Sequence, residues 1–329
     1  MIGLAKVELR RLYARRLTLI GIAGVVVIVG LLLFATWRSA RPLSDAELRT
    51  AQAQFEMAHK DWVSNAAANK AQCETDYANA PDPKPAIEEF CSFPEPKPAD
   101  FGRPRFTFAE TMPELLHGSS YLLAAAAFLI GASFVGAEFS SGSLGNWLTF
   151  EPRRTRVYGS KLLGMVTGMA PFLVAVLAVL IGGTVLIVET VGNGTATSAD
   201  QWNDLLATAV RSAALAAVAG ALGCVLGVLL RHTAAAIGVA MGYVVLVEGV
   251  FGGFLTKAQP WLLRLNIDAW VQHDTRYWVD NCQTGSDGMY TCTSIEKTLS
   301  FEHGAWYLGV LAVVLVLLGG VVFARRDVN

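Results

Sequence analysis

Residues 138–164 read EFSSGSLGNWLTFEPRRTRVYGSKLLG, a polar and basic stretch set between two apolar runs that are each long enough to cross a bilayer. Its Arg153, Arg154, Arg156 and Lys161 are clustered in a short connection, and such clusters resist translocation and stay on the cytoplasmic side. With this loop inside, the side of every other segment follows. Leu144, Trp147 and Leu148 stand at i, i+3 and i+4 and make one apolar face of a short helix, which Pro152 ends. A soluble loop has no use for such a face, so the helix has something to press against.

The order Glu138-Phe139-Ser140-Ser141-Gly142-Ser143-Leu144, then Pro152, an Arg cluster and Gly159-Ser160-Lys161-Leu162-Leu163, resembles the loop between the second and third spans of ABC-2 type transporter permeases. Ser143 stands where the family usually has Thr, and both offer a hydroxyl on a short stem. The resemblance implies a coupling helix over 138–152 that docks on a separate ATPase subunit. It implies coupling roles for Glu138, Phe139, Gly142, Leu144, Trp147, Leu148, Pro152, Arg153, Arg156 and Lys161. An ordinary basic loop that merely obeys the charge rule is the other reading of the same residues.

Composition points the same way. A 329-residue chain that is 53% hydrophobic and only 16% charged, with mean hydropathy +0.43, is too apolar for a soluble domain and reads as a polytopic membrane protein. The N-terminus, MIGLAKVELRRLYARR, sets Leu4, Val7 and Leu12 among Lys6, Arg10, Arg11, Arg15 and Arg16. This is a basic amphipathic helix for the inner interface, leading into a first span at 17–37. A cleaved signal peptide is the weaker reading, because the apolar run exceeds an h-region and no small-x-small site follows.

Residues 38–117 hold nine Lys or Arg against thirteen Asp or Glu and form the least membrane-like part of the chain. Ser44 and Glu47 make a capping box, and Leu48, Ala51, Phe55, Ala58 and Trp62 recur at helical spacing as one apolar stripe that needs a partner. Pro81, Pro83, Pro85, Pro94, Pro96, Pro98 and Pro104 then exclude regular structure and predict an extended return strap. This segment is expected to be a helical extracytoplasmic domain.

Five more spans follow from the apolar runs, at 121–136, 162–188 with a kink expected at Pro171, 205–230, 234–250 and 305–323. Residues 118–256 thus hold the second to fifth spans, and 305–329 the sixth span and a tail closed by Arg325 and Arg326. Between them, 257–304 begins with Pro260, Trp261, Leu262, Leu263, Leu265, Ile267 and Trp270 after Gly252 and Gly253, the pattern of helices lying at or dipping into the outer interface. ABC-2 permeases commonly have such a re-entrant pair there, so the resemblance covers both halves.

Cys73, Cys91, Cys282 and Cys292 fall in segments assigned to the outside, and only Cys224 falls in a span. An even exported set predicts two disulfides; of the three possible pairings, Cys73 with Cys91 and Cys282 with Cys292 close short loops within one segment. No His stands at ligand spacing from these cysteines, so no metal site is expected. Arg211 and Glu248 are the ionisable residues inside predicted spans, close to the outer ends. They line a polar path, or else Arg211 snorkels to the head groups and Glu248 caps the glycine break.

The chain lacks G-x-x-x-x-G-K-[ST], and Gly159-Ser160-Lys161 has neither the spacing nor the strand before it, so ATP and Mg are expected on a partner and no cofactor on this chain. No catalytic constellation emerges either. The sequence therefore predicts an all-α integral membrane protein of six transmembrane helices, with an N-terminal interface helix, a cytoplasmic coupling helix and both termini cytoplasmic. Its expected role, from the resemblance, is the permease subunit of an ATP-driven exporter. Its expected partners are two copies of an ABC ATPase, a second permease copy or related subunit, and membrane lipids, with no nucleic acid. Ala-, Val- and Arg-rich usage suits a high-GC bacterium and its plasma membrane. The alternatives are a membrane-anchored sensor or assembly factor acting through 38–117, and an integral-membrane enzyme.

Overall fold

Helix dominates the computed structural model, which describes residues 2–80, 84–102, 107–191, 197–252, 256–284 and 290–325. Pro81, Pro83, Pro104, Gly253 and Arg326 lie outside the described residues. An interface helix α1 (Ile2–Ala14) precedes six helices long and apolar enough to cross a membrane. These are α2 (Arg16–Ala40), α5 (Phe108–Ser140), α7 (Arg154–Val191), α8 (Ala199–Leu230), α9 (Thr233–Gly242) continued by a π-helix over Tyr243–Phe251, and α11 (Phe301–Arg325). The protein is an all-α integral membrane protein. Its contacts divide it into two units, one of residues 1–34, 108–185 and 196–329, the other of residues 35–107 and 186–195.

The first unit is organised on α5 and α8. Phe108 meets Trp202, Ser120 Oγ lies 2.6 Å from Ser212 Oγ, and Gly131 packs on Gly220, so the two helices run parallel. Glycine permits the close approach: a Cβ at Gly131 would fall on Gly220 O, and one at Gly223 on Phe128 O. α2 packs through Gly21 onto Ile130 of α5 and through Leu33 onto Gly183 of α7. Tyr158 of α7 fills the space beside Gly319 of α11 and donates to Val316 O at 2.8 Å.

α5, α7, α8 and α11 each begin earlier than the apolar run alone implies, because a helix starts where its backbone turns and not where apolarity begins. Ser198 and Gln201 form a capping box that opens α8 at Ala199, six residues before Leu205. α5 opens at Phe108, with Pro113 tolerated near its start, and α7 runs unbroken past Pro171.

Before α11 the chain departs from an all-helical reading of 257–304. A 3-10 turn (Thr256–Trp261) and α10 (Leu263–Gln272) are followed by a two-stranded antiparallel ribbon, β1 (Thr275–Thr284) with β2 (Tyr290–Leu299). In the sequence, Gly285-Ser286-Asp287-Gly288 between runs rich in Thr, Tyr, Val and Ile is a hairpin signal. Asp274, at positive φ, ties the ribbon to α11 by accepting from Phe301 N at 2.7 Å. The register sets Cys282 opposite Cys292, and Cys292 is disulfide-bonded; the side chain of Cys282 lies outside the described residues.

In the second unit α3 (Asp45–Asn79) starts on the Ser44–Glu47 capping box, and the partner of its apolar stripe is the proline-rich strap. Phe55 meets Phe101 edge-on, Trp62 Nε1 donates to Phe93 O at 3.3 Å, and Tyr77 packs on Phe90. Leu48 is left exposed. The strap is not wholly irregular, since α4 (Ile87–Phe90) and a 3-10 turn (Pro98–Asp100) interrupt it, the second opened by proline where the missing N–H has no partner to lose. A disulfide joins Cys73 to Cys91.

Candidate functional site: a buried charge cluster beneath the loop helix

The quoted stretch folds as the end of α5, a tight link at Gly142 with φ +68°, the helix α6 (Ser143–Phe150), and the start of α7. Glycine at Gly142 is required by that left-handed backbone. α6 stops at Glu151 before Pro152, whose ring and absent N–H cannot continue it, and Glu151 Oε1 accepts from Arg153 N at 3.3 Å.

Beneath α6 lies an ionic cluster assembled from three segments. Glu8 of α1, Glu138 of α5 and Lys161 of α7 are 0%, 2% and 1% exposed. Lys161 Nζ donates to both oxygens of Glu8 at 3.2 Å and to Glu138 Oε2 at 2.5 Å. Arg15, in the break between α1 and α2, donates to Glu138 Oε1 at 3.1 Å and to Ser133 O at 3.0 Å. Arg11 Nη1 stands 3.8 Å from both Glu8 Oε1 and Glu138 Oε1, and its guanidinium covers the Trp147 ring at 4.5 Å. Phe134 floors the cluster, 5.0 Å from Arg15 and 5.2 Å from Lys161.

Two carboxylates and one ammonium out of water are tolerated because each is paired, with the half-buried Arg11 and Arg15 at the rim. Burial pushes the Glu8 carboxyl above its ordinary value; Lys161 opposes that shift and the Glu138 charge adds to it. Apolar contacts complete the docking of α1, as Leu12 fills the space over Gly168 and Tyr13 donates to Gly168 O at 2.5 Å. Arg11 and Arg15 thus turn to this cluster, whereas Lys6 and Arg10 remain exposed.

Of the face drawn from Leu144, Trp147 and Leu148, only Leu144 is fully buried within the chain. Leu144 is 1% exposed within its own chain, Trp147 lies beneath Arg11, and Leu148 is half-buried. Phe150 at the far end of α6 is 83% exposed, with Pro152, Arg153 and Arg156 exposed after it. Phe139 is half-buried under Arg231, 5.8 Å from its ring. Glu8 and Phe150 are not among the residues that the loop motif marks. Glu8 is the single acid in a strongly basic segment, and that is the signal it offered.

Arg211 and Glu248 lie apart from this cluster, at the opposite end of the spans. Glu248 Oε1 accepts from Leu263 N at 2.7 Å and Arg264 N at 3.3 Å, capping α10, and Tyr243 donates to it at 2.8 Å. Arg211 donates to Thr208 Oγ1 at 2.8 Å, and its backbone carbonyl accepts from Trp270 Nε1 at 3.0 Å.

Fold and site together define a multi-pass helical membrane protein with a short loop helix seated on one end of its span bundle. Over residues 2–328 the chain matches the ABC-2 family transporter proteins, and it belongs to that family. Members of the family are membrane components of transporters and associate in general with an ABC ATPase subunit. Among curated proteins, none matches the chain.

Proposed function

We propose that the chain is the permease subunit of an ATP-driven exporter in a bacterial plasma membrane, with both termini and α6 cytoplasmic. Two ABC ATPase subunits, carrying ATP and Mg, act on α6; the permease pairs with a second copy or a related subunit to enclose the path. This chain holds no cofactor in the scheme, and its part in the cycle is mechanical.

The observation that carries the reading is the cluster of Glu8, Glu138 and Lys161, which ties the base of α6 to the interface helix and to the third span. A push on α6 cannot be absorbed locally, because Leu144 is packed into the bundle and the buried ion pairs resist separation. Phe150 is the anchor for the ATPase, an exposed aromatic ring with Arg153 and Arg156 beside it, the residue types that dominate interface energies.

The test is co-purification of the ATPase with the permease, together with its ATPase activity, for Phe150→Asp. Capture should fall by about tenfold or more while the permease itself stays folded. Unchanged capture would leave α6 without a coupling role and favour a sensor that acts through the unit of residues 35–107. Labelling of single cysteines should find position 154 inside and position 84 outside; the reverse would overturn the orientation.

A further inference from the structure

The ends of α5 and α8 remote from α6 enclose a cleft of about 560 Å³, lined in part by His117, Gln201, Asp204, Thr208, Arg211 and His273. Asp204, Thr208 and Arg211 stand at i, i+4 and i+7, so one stripe of α8 presents both charges to it. Neighbouring ionisable groups are matched: His117 Nε2 lies 2.7 Å from Asp268 Oδ1, to which Tyr121 also donates, and Glu248 caps α10. Arg211 and Asp204 make no direct ion pair among the described residues, although the Asp204 charge acts on the guanidinium; that half-buried group faces the Phe301 ring at 5.8 Å and donates to Thr208, while its Nε is buried with no acceptor.

We infer that this cleft binds the zwitterionic head of an amphiphile, with a phosphate or carboxylate on Arg211 and an ammonium at Asp204. A guanidinium within a span that lacks a directly bonded counter-ion is costly, and its planar fork fits two oxygens of an anion. Seven residues of helix put Asp204 about 10 Å nearer the start of α8, which is the end of the span. Anion deep and cation outward is the order of charges in a phospholipid head whose tails lie in the bilayer. Ala109, Pro113, Leu205 and Ala207 line the same cleft and offer those tails an apolar wall.

The inference concerns the cleft and does not depend on coupling to an ATPase, so binding is scored without turnover. The purified full chain is titrated with phosphatidylethanolamine, phosphatidylglycerol and the tail-free glycerophosphoethanolamine, and bound ligand is read by native mass spectrometry. Phosphatidylethanolamine should bind best. Arg211→Gln should weaken it by about tenfold, and Asp204→Asn should erase its advantage over phosphatidylglycerol. Should Arg211→Gln fail to fold, Arg211→Lys takes its place, with a smaller loss expected. Equal binding by Arg211→Gln and the wild type would overturn the site and leave Arg211 a residue that merely reaches for the membrane surface. Equal affinity for both lipids in the wild type would overturn the zwitterionic assignment. Glycerophosphoethanolamine binding as tightly as the lipid would uphold the head-group chemistry and overturn the amphiphile.

Discussion

Lys161 donates to both carboxylate oxygens of Glu8 at 3.2 Å, across 153 residues of chain and with both side chains out of water. The pair fastens the interface helix to the third span beside the loop helix. Removing the cation alone leaves two buried carboxylates facing each other. Lys161→Met should therefore destabilise the protein by about 3–5 kcal/mol, and adding Glu8→Gln should recover part of that loss. Thermal unfolding of both single variants and the double variant measures the coupling; strictly additive losses would mean the two side chains act independently.

Stability should depend on pH through Glu8. Its raised folded-state pKa means that docked α1 holds a proton more readily than detached α1. The contribution is complete below the ordinary glutamate value and is lost as pH rises through the raised one. Across that window the wild type should lose stability relative to Glu8→Gln. A difference that stays flat, or grows with pH, would contradict the assignment.

Leu144 and Trp147 should behave unlike Phe150. Leu144→Ala empties a buried site and should cost about 2–5 kcal/mol of permease stability. Trp147→Leu removes the ring beneath Arg11, a contact of about 0.5–2 kcal/mol, and should loosen α6 from α1. ATP hydrolysis should then proceed with less transport while the ATPase remains bound. Loss of ATPase capture in Trp147→Leu would instead make that ring part of the interface.

Glycines between the second and fourth spans should tolerate no side chain. Gly223→Val places a branched side chain against Phe128 O and Ala132 N and should destabilise by about 1–3 kcal/mol or more. Gly182→Ala, where nothing lies within 4 Å, is the control and should be neutral or stabilising. Detergent-resistant unfolding of the two variants separates these outcomes.

The Cys73–Cys91 disulfide closes a loop of sequence separation 18, which corresponds to about 3 kcal/mol of lost chain entropy in the unfolded state. The Cys73→Ser, Cys91→Ser double variant should release the strap from α3. Limited proteolysis should then cut residues 84–102 much faster, with the spans unaffected. An unchanged rate would mean that Phe55, Trp62 and Tyr77 hold the strap unaided.

Much of this protein is readable in one dimension, because a bilayer imposes a length and a charge rule on each segment separately. The apolar runs locate all six spans, Ser44 and Glu47 open α3, and Pro152 ends α6, each from chemistry contained within a few neighbouring residues. The ribbon at 275–299 also had a local signal, in Gly285-Ser286-Asp287-Gly288 between β-branched runs, but the Trp-flanked apolar stretch before it points to helix. What no local pattern could decide is which face of a short helix is inward. Leu144 and Trp147 look alike in the sequence, yet the folded chain buries Leu144 completely and leaves Trp147 half-buried beneath Arg11. Glu8 reads as a solvated acid among basic residues until α1, α5 and α7 meet around Lys161. Burial, and with it the energetic weight of a charge, is a property of the assembled helices, and only their packing could assign it.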